Sequence, residues 1–131
     1  MARRMTEAEK PEIEVVVDPQ YVEARSDPAQ GLYFFAYRVR ITNNGTRRVR
    51  LVSRHWIISD EFGNEEEIKG IGVVGAQPQL GPGDSFSYMS FCPLETPVGA
   101  MEGAFQMESE EGELFDAPIP PFTLIIPTMV N

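Results

Sequence analysis

The stretch Gly70-Ile71-Gly72-Val73-Val74-Gly75-Ala76-Gln77-Pro78-Gln79-Leu80-Gly81-Pro82-Gly83 holds five of the chain's 11 glycines and two of its 11 prolines. Its first half has the spacing G-x-G-x-x-G, which in a strand–turn–helix unit seats a dinucleotide pyrophosphate on a helix N-terminus. Its second half denies the helix. A helix opening near Gly75 meets Pro78 within one turn, and Gly81, Pro82 and Gly83 follow at once. An interior proline costs about 3 kcal/mol and a glycine about 1 kcal/mol, so no helix of useful length forms here. Glu95 stands near the place of an acidic ribose partner, but in a Pro-flanked loop rather than at the end of a second parallel strand. The residues therefore mark a bend in a sheet, where positions without a Cβ admit positive φ or close backbone approach. A weak anion nest of backbone N–H groups needs no helix and remains the alternative.

The flanking sequence reads as strands. In residues 32–43, Tyr33, Phe35, Tyr37, Val39 and Ile41 alternate with Arg38 and Arg40 on the other face, the period of a half-buried strand. Asn43-Asn44-Gly45-Thr46 follows as a turn, and Asn-Gly favours hairpin types that need positive φ. A second long strand spans Arg48 to Asp60. Val49 and Leu51 share one phase and Trp56 and Ile58 the other, so a β-bulge is expected between Val52 and His55. Glu61 to Asn64 turns the chain into the charged strand Glu65-Glu66-Glu67-Ile68-Lys69, which leads to the glycines.

Beyond them, Asp84 to Phe91 is a strand, and Pro93, Pro97 and Gly99 punctuate a loop. Met101, Gly103, Phe105 and Met107 form a buried face, and Ser109 to Gly112 an acidic turn. Leu114 and Phe115 return; Pro118 to Pro121 reads as a rigid corner before a last strand, Phe122 to Ile126. Upstream, Ile13 to Val17 is a strand that Pro19 breaks, with Tyr21-Val22 pairing after a bend. Repeated strands with turn signals and no helix for parallel crossovers predict an all-β fold, an antiparallel β-sandwich or barrel.

With 131 residues the chain reads as one domain over residues 11–131, preceded by a flexible tail over residues 1–10. A net charge of −9 opposes nucleic-acid and anionic-membrane binding and favours solubility. The lone Cys92 excludes an internal disulfide and fits a reducing compartment; no apolar run is long enough to span a bilayer, and Thr6 to Lys10 fills the place of a signal peptide's apolar region. A cytoplasmic location is expected.

Candidates for chemistry are sparse. His55 is the single histidine and faces opposite to Arg54 and Trp56 in its strand. Ser53, Ser59 and Cys92 carry no mark of a nucleophile elbow or oxyanion hole, so His55 reads as a hydrogen-bonded structural residue and Trp56 as a core anchor. One His and one Cys cannot build a tetrahedral zinc site. Asp60, Asn64 and Glu65 to Glu67 supply oxygens without the spacing of a calcium loop, and read as a charged edge that resists aggregation. No metal, cofactor or catalytic residue is expected.

Taken together, Arg54-His55-Trp56-x-Ile58-x-Asp60-x-x-Gly63 and the run from Gly70 to Gly83 resemble the ApaG (CorD-like) family. The motifs Phe86-x-Tyr88-x-Ser90, Leu94-x-Thr96-Pro97-x-Gly99-x-Met101-x-Gly103 and Ile119-Pro120-x-Phe122-x-Leu124 extend the likeness over residues 11–127. The resemblance implies a fibronectin type III-like sandwich, and a bacterial protein linked to cobalt resistance and magnesium efflux. It also implies a domain that in eukaryotic proteins serves protein interaction. The family supplies no agreed catalytic residues; its glycine motif has been likened to pyrophosphate-binding loops, which falls here on Gly70, Gly72 and Gly75.

Two functions are thus expected from different classes. The leading one is a non-enzymatic module that binds a protein partner through an edge strand or a loop cluster. The alternative is a nucleotide- or pyrophosphate-binding protein using Gly70, Gly72 and Gly75 with Arg54. The charged strand Glu65 to Lys69 opposes in-register self-pairing, so a monomer or weak dimer is expected.

Overall fold

The computed structural model describes residues 3–129; Met1, Ala2, Val130 and Asn131, which the sequence assigns to the tail and the domain end, lie outside the described residues. Eight strands form two antiparallel sheets. They are β1 (Ile13–Tyr21), β2 (Tyr33–Asn43), β3 (Val49–Asp60), β4 (Glu65–Ile71), β5 (Gln79–Leu80), β6 (Ser85–Leu94), β7 (Val98–Ser109) and β8 (Leu114–Ile125). One sheet has the order β1-β2-β6; the other has β4-β3-β7-β8, with β5 also on β3. Three strands over five, with β4 and the short β5 sharing one edge of β3 and all pairs antiparallel, is a sandwich of the fibronectin type III/immunoglobulin-like class. Among the described residues the helical segments are single 3-10 turns, at Glu7–Glu9, Glu23–Arg25, Pro28–Gln30 and Pro127–Met129.

The alternation read in β2 is the alternation observed. Phe35, Tyr37, Val39 and Ile41 are buried, whereas Arg38 and Arg40 face solvent. From the other sheet, Leu51, Trp56, Phe105 and Met107 meet them. The Trp56 ring stands edge-on to Tyr37 at 5.4 Å and to Phe105 at 6.3 Å, the offset geometry that aromatic quadrupoles prefer. The expected bulge in β3 is present: the register against β7 shifts between Leu51 and Ser53, which carries Val49 and Leu51 inward before it and Trp56 and Ile58 inward after it.

Three local expectations are corrected. Pro19 does not break β1, which runs through it with Pro19 opposite Tyr37. Pro118 to Pro121 is not a corner: β8 is one strand, Pro118 stands in the ladder opposite Ala104, and the register on β7 slips between Met101 and Gly103 so that Pro120 and Pro121 are absorbed in a bulge. Pro93 lies within β6, opposite Phe34, and the loop shrinks to Glu95–Pro97. All three strands are sheet edges, where a missing N–H leaves no ladder partner unpaired. Asn44-Gly45 also departs from expectation, because neither residue has positive φ. β2 and β3 belong to opposite sheets, so this link is a crossover, not a hairpin. The buried Asn43 side chain holds it instead. Its amide donates to the Arg47 and Leu80 carbonyls at 2.8 and 2.9 Å, and its oxygen accepts from Gly45 N–H at 2.9 Å.

Residues 1–10, read as a flexible tail, present a docked segment from Arg3 onward. Met5 is buried against the core, its N–H donates to Leu114 O at 2.8 Å, and Leu114 N–H donates to Arg3 O at 2.7 Å. Arg3 pairs with Glu9 and Glu113, and Arg4 with Asp116. The segment covers the start of β8 on its free edge.

Candidate functional site

The glycine stretch and the β3 bulge form one unit. β4 and β5 both run antiparallel to β3 along the same edge, with Ser53 opposite Ile71 and Arg50 opposite Gln79. Between them Gly72 to Pro78 loop out beside Leu51 and Val52, at the bulge. The bulge supplies the seat: Val52 O accepts from Gly72 N–H at 2.8 Å and from the Gln77 amide at 2.9 Å, and Leu51 N–H donates to Pro78 O at 3.0 Å.

The loop itself is a two-residue hairpin. Val73 and Ala76 exchange both backbone hydrogen bonds, at 2.8 and 2.9 Å. The central residues, Val74 (φ 42°) and Gly75 (φ 79°), both have positive φ, the type I′ pattern. Gly72 also has positive φ, 64°, and a Cβ there would lie 2.3 Å from Ala76 O. Val73 is fully buried and anchors the hairpin, whereas Ile71 is 78% exposed and Val74 61% exposed. The outcome is a rigid loop that carries two aliphatic side chains into solvent.

The structure brings three of the four predicted site residues together. The Arg54 guanidinium lies over Gly70, where a Cβ would come within 2.7 Å of it. Its Nη1 donates to Gly72 O at 2.9 Å and Ile71 O at 3.3 Å. Gly70 is therefore small because an arginine crosses it, and Arg54 braces the hairpin's base through carbonyls. Gly75 sits apart, at the tip, with nothing within 4 Å of its Cβ position. The Gly72, Val73 and Ala76 N–H groups are bonded within the fold and do not converge on an empty cradle. A groove of about 470 Å³ runs beside the loop, lined by Arg54, Lys69, Gly70, Ile71 and their β3 neighbours.

His55 faces outward from Trp56 and Arg54, and its Nε2 lies 3.0 Å from Glu67 Oε1 on β4. Cys92 is buried, and burial with the nearby Glu66 charge pushes its thiol up to about 12, far from a nucleophile's range. Among the described residues no three His, Cys, Asp or Glu side chains gather into a metal-binding group. Also among them, no helix is long and apolar enough to cross a membrane. The exposure of Ile71 and Val74 is what the sequence reading missed. Its signal was two aliphatic residues placed among glycines in a stretch read as a bend or an anion nest.

The fold and this loop define a small antiparallel sandwich of the fibronectin type III class with a braced hairpin inserted in one edge. The ApaG domain matches residues 23–109. Proteins named ApaG from Methylobacterium nodulans (55% identical, covering 95% of this chain and 96% of that protein) and Aromatoleum aromaticum (47%, covering 97% and 100%) align over nearly their whole length. A crystal structure of a Bordetella pertussis protein described as ApaA superposes with a TM-score of 0.88 at 44% identity, covering 97% of this chain and 98% of that one. The chain belongs to the ApaG family.

Proposed function

We propose that the chain is a non-enzymatic protein-binding module that engages its partner through the Ile71–Val74 face of the glycine hairpin. One observation carries the reading. A β-branched residue, 61% exposed, is kept at a left-handed position of a type I′ turn, where Asn or Gly is the unstrained choice. Backbone strain held where it gives the fold nothing points to a contact outside the chain. The neighbouring edge of β4 is open to strand addition, and Glu65 to Glu67 set the charge that a pairing strand must match. Under this reading any part in cobalt resistance or magnesium efflux is indirect, exerted through the bound protein.

Val74→Asn tests it. Asn relieves the left-handed strain, so the variant gains about 1 kcal/mol and melts at or above the wild-type temperature. With both proteins as bait at physiological salt, partners held by wild type are expected to be lost from Val74→Asn. Equal capture by the two, or no capture by folded wild type, overturns the reading. A second reading, a pyrophosphate or nucleotide ligand at Gly70, Gly72, Gly75 and Arg54, draws support from the nearness of Arg54 and Lys69 to the groove. Calorimetry with pyrophosphate and diadenosine tetraphosphate, with and without magnesium, decides it: saturable micromolar binding lost in Arg54→Gln supports it, and none removes it.

A further inference from the structure

The outward face of the three-stranded sheet has a composition unlike the rest of the surface. In a sandwich this face is ordinarily polar. Here Met89 is 45% exposed and Phe91 50%. Phe91 packs on Phe34 with ring centroids 5.5 Å apart, and the Arg25 guanidinium lies 4.3 Å over Phe34 and 5.5 Å from Phe91. The ladder places the rest: Arg38 stands between Asp18 and Met89, and Arg40 between Val16, itself 45% exposed, and Ser87.

The charge pattern is the second observation. The chain carries 20 carboxylates against 11 Lys and Arg, and Arg3, Arg4, Arg47 and Arg50 all sit in ion pairs. Among the described residues Arg25, Arg38 and Arg40 have no carboxylate within 4.0 Å, although Asp18 lies directly opposite Arg38 and Glu14 shares the face. Among the described residues five guanidinium groups lack a carboxylate partner. Arg54 is held by the Ile71 and Gly72 carbonyls and Arg48 lies on β3's side of the molecule, whereas Arg25, Arg38 and Arg40 gather beside the exposed aromatic cluster. Arginine beside Phe and Met is the composition of an interface core rather than of a solvated sheet face.

We propose that this face is a docking surface for an acidic polypeptide segment that carries aromatic or aliphatic side chains, its carboxylates meeting Arg38 and Arg40 and its apolar groups resting on Phe91 and Met89. Charge complementarity selects that partner: the net charge of −9 repels a polyanion such as RNA from the molecule as a whole, whereas a short acidic segment feels chiefly the local arginines within a Debye length. The surface lies on the sheet opposite the glycine hairpin's seat on β3 and stands independently of it.

The experiment is an amide-shift titration of the labelled full chain with a short synthetic peptide alternating Glu with Leu and Phe. Shifts are expected along β2 and β6 around Arg38–Arg40 and Met89–Phe91, and not at Gly72–Gln77. Replacing Glu by Gln in the peptide, or the double substitution Arg38→Gln/Arg40→Gln in the protein, is expected to weaken binding at least about tenfold, and added salt to weaken it further. Phe91→Ser tests the apolar half with the same sign. Val74→Asn leaves this binding unchanged. The proposal is overturned if the shifts map elsewhere, if the Gln peptide or the arginine variants bind equally well, or if oligouridine takes the face in preference to the acidic peptide. It is overturned also if sedimentation shows the face buried in a dimer of the chain itself.

Discussion

At the scale of single residues, the glycines of one motif do different work, and substitution separates them. Gly72 faces two penalties, positive φ and a Cβ placed 2.3 Å from a backbone oxygen. Gly75 faces only the first, because the space around it is open. Gly72→Ala is therefore expected to lose roughly 2–3 kcal/mol and Gly75→Ala about 1 kcal/mol. Thermal melts of the two variants without any ligand check the order, and equal losses would mean that the Ala76 carbonyl yields. Cys92 offers a second residue-scale test. With its thiol buried and pushed up to about 12, it is expected to resist a thiol reagent at pH 8 in the native protein and to react at once in denaturant. Sequence told part of this. The G-x-G-x-x-G spacing announced a bend, but not that Gly70 makes room for Arg54. Asn44-Gly45 had the composition of a type I′ turn, yet Val74-Gly75 adopts it. Turn geometry follows from whether the flanking strands pair, and pairing is decided at long range.

At the scale of elements, strands whose two faces differ were legible, and strands whose edges differ were not. β2 and β7 show their buried faces in plain alternation, and the phase change from Leu51 to Trp56 located the bulge. The prolines of β1, β6 and β8 concealed strand continuity, since only a strand's place at an edge makes a proline harmless and that place is not written locally. The N-terminal segment was equally hidden: one methionine and a few ion pairs dock it. Glu9 reports on the conformation of that segment, since its partners Arg3 and Thr6 lie in the segment with it. Its hydrogen bond from Arg3, then those from the Thr6 N–H and hydroxyl, lower its carboxyl from 4.5 to about 2. Because the docked value lies below the unfolded one, the contribution of ionised Glu9 is present above pH 4.5 and fades as pH falls through about 2. A carbon-detected NMR titration should place Glu9 near 2 in wild type and raise it toward the ordinary carboxylate range in Arg3→Gln, the Thr6 hydrogen bonds still holding it somewhat low. A Glu9 that titrates ordinarily in both would show that the segment does not hold this conformation in solution.

For the whole molecule, three edges carry proline and the fourth, β4, carries Glu65-Glu66-Glu67, so every open edge has a guard against indiscriminate pairing. The one with its N–H groups intact is the one beside the exposed hairpin. The proposed functions follow that asymmetry: contact is directed to one corner of the β3 sheet and to the arginine-rich face of the other. An acidic surface of this size also repels itself at low ionic strength. Moderate salt is accordingly expected to raise the melting temperature, and a fall would mean that the ion pairs at Arg3, Arg4 and Arg47 outweigh the repulsion.

The pairing order has a consequence for how the chain is made. β3 finds its central partner only in β7, β2 finds one in β6, and β1 packs against β8. During synthesis the first two sheet strands therefore wait, apolar faces uncovered, until most of the chain has left the ribosome. Folding dominated by such distant pairings runs in milliseconds to seconds. Trp56, the single tryptophan, sits at the centre between the sheets, so stopped-flow fluorescence reads closure of the sandwich directly. A refolding phase in that range is expected, with a chain ending before β8 failing to reach the native signal; microsecond closure would place the nucleus within one hairpin.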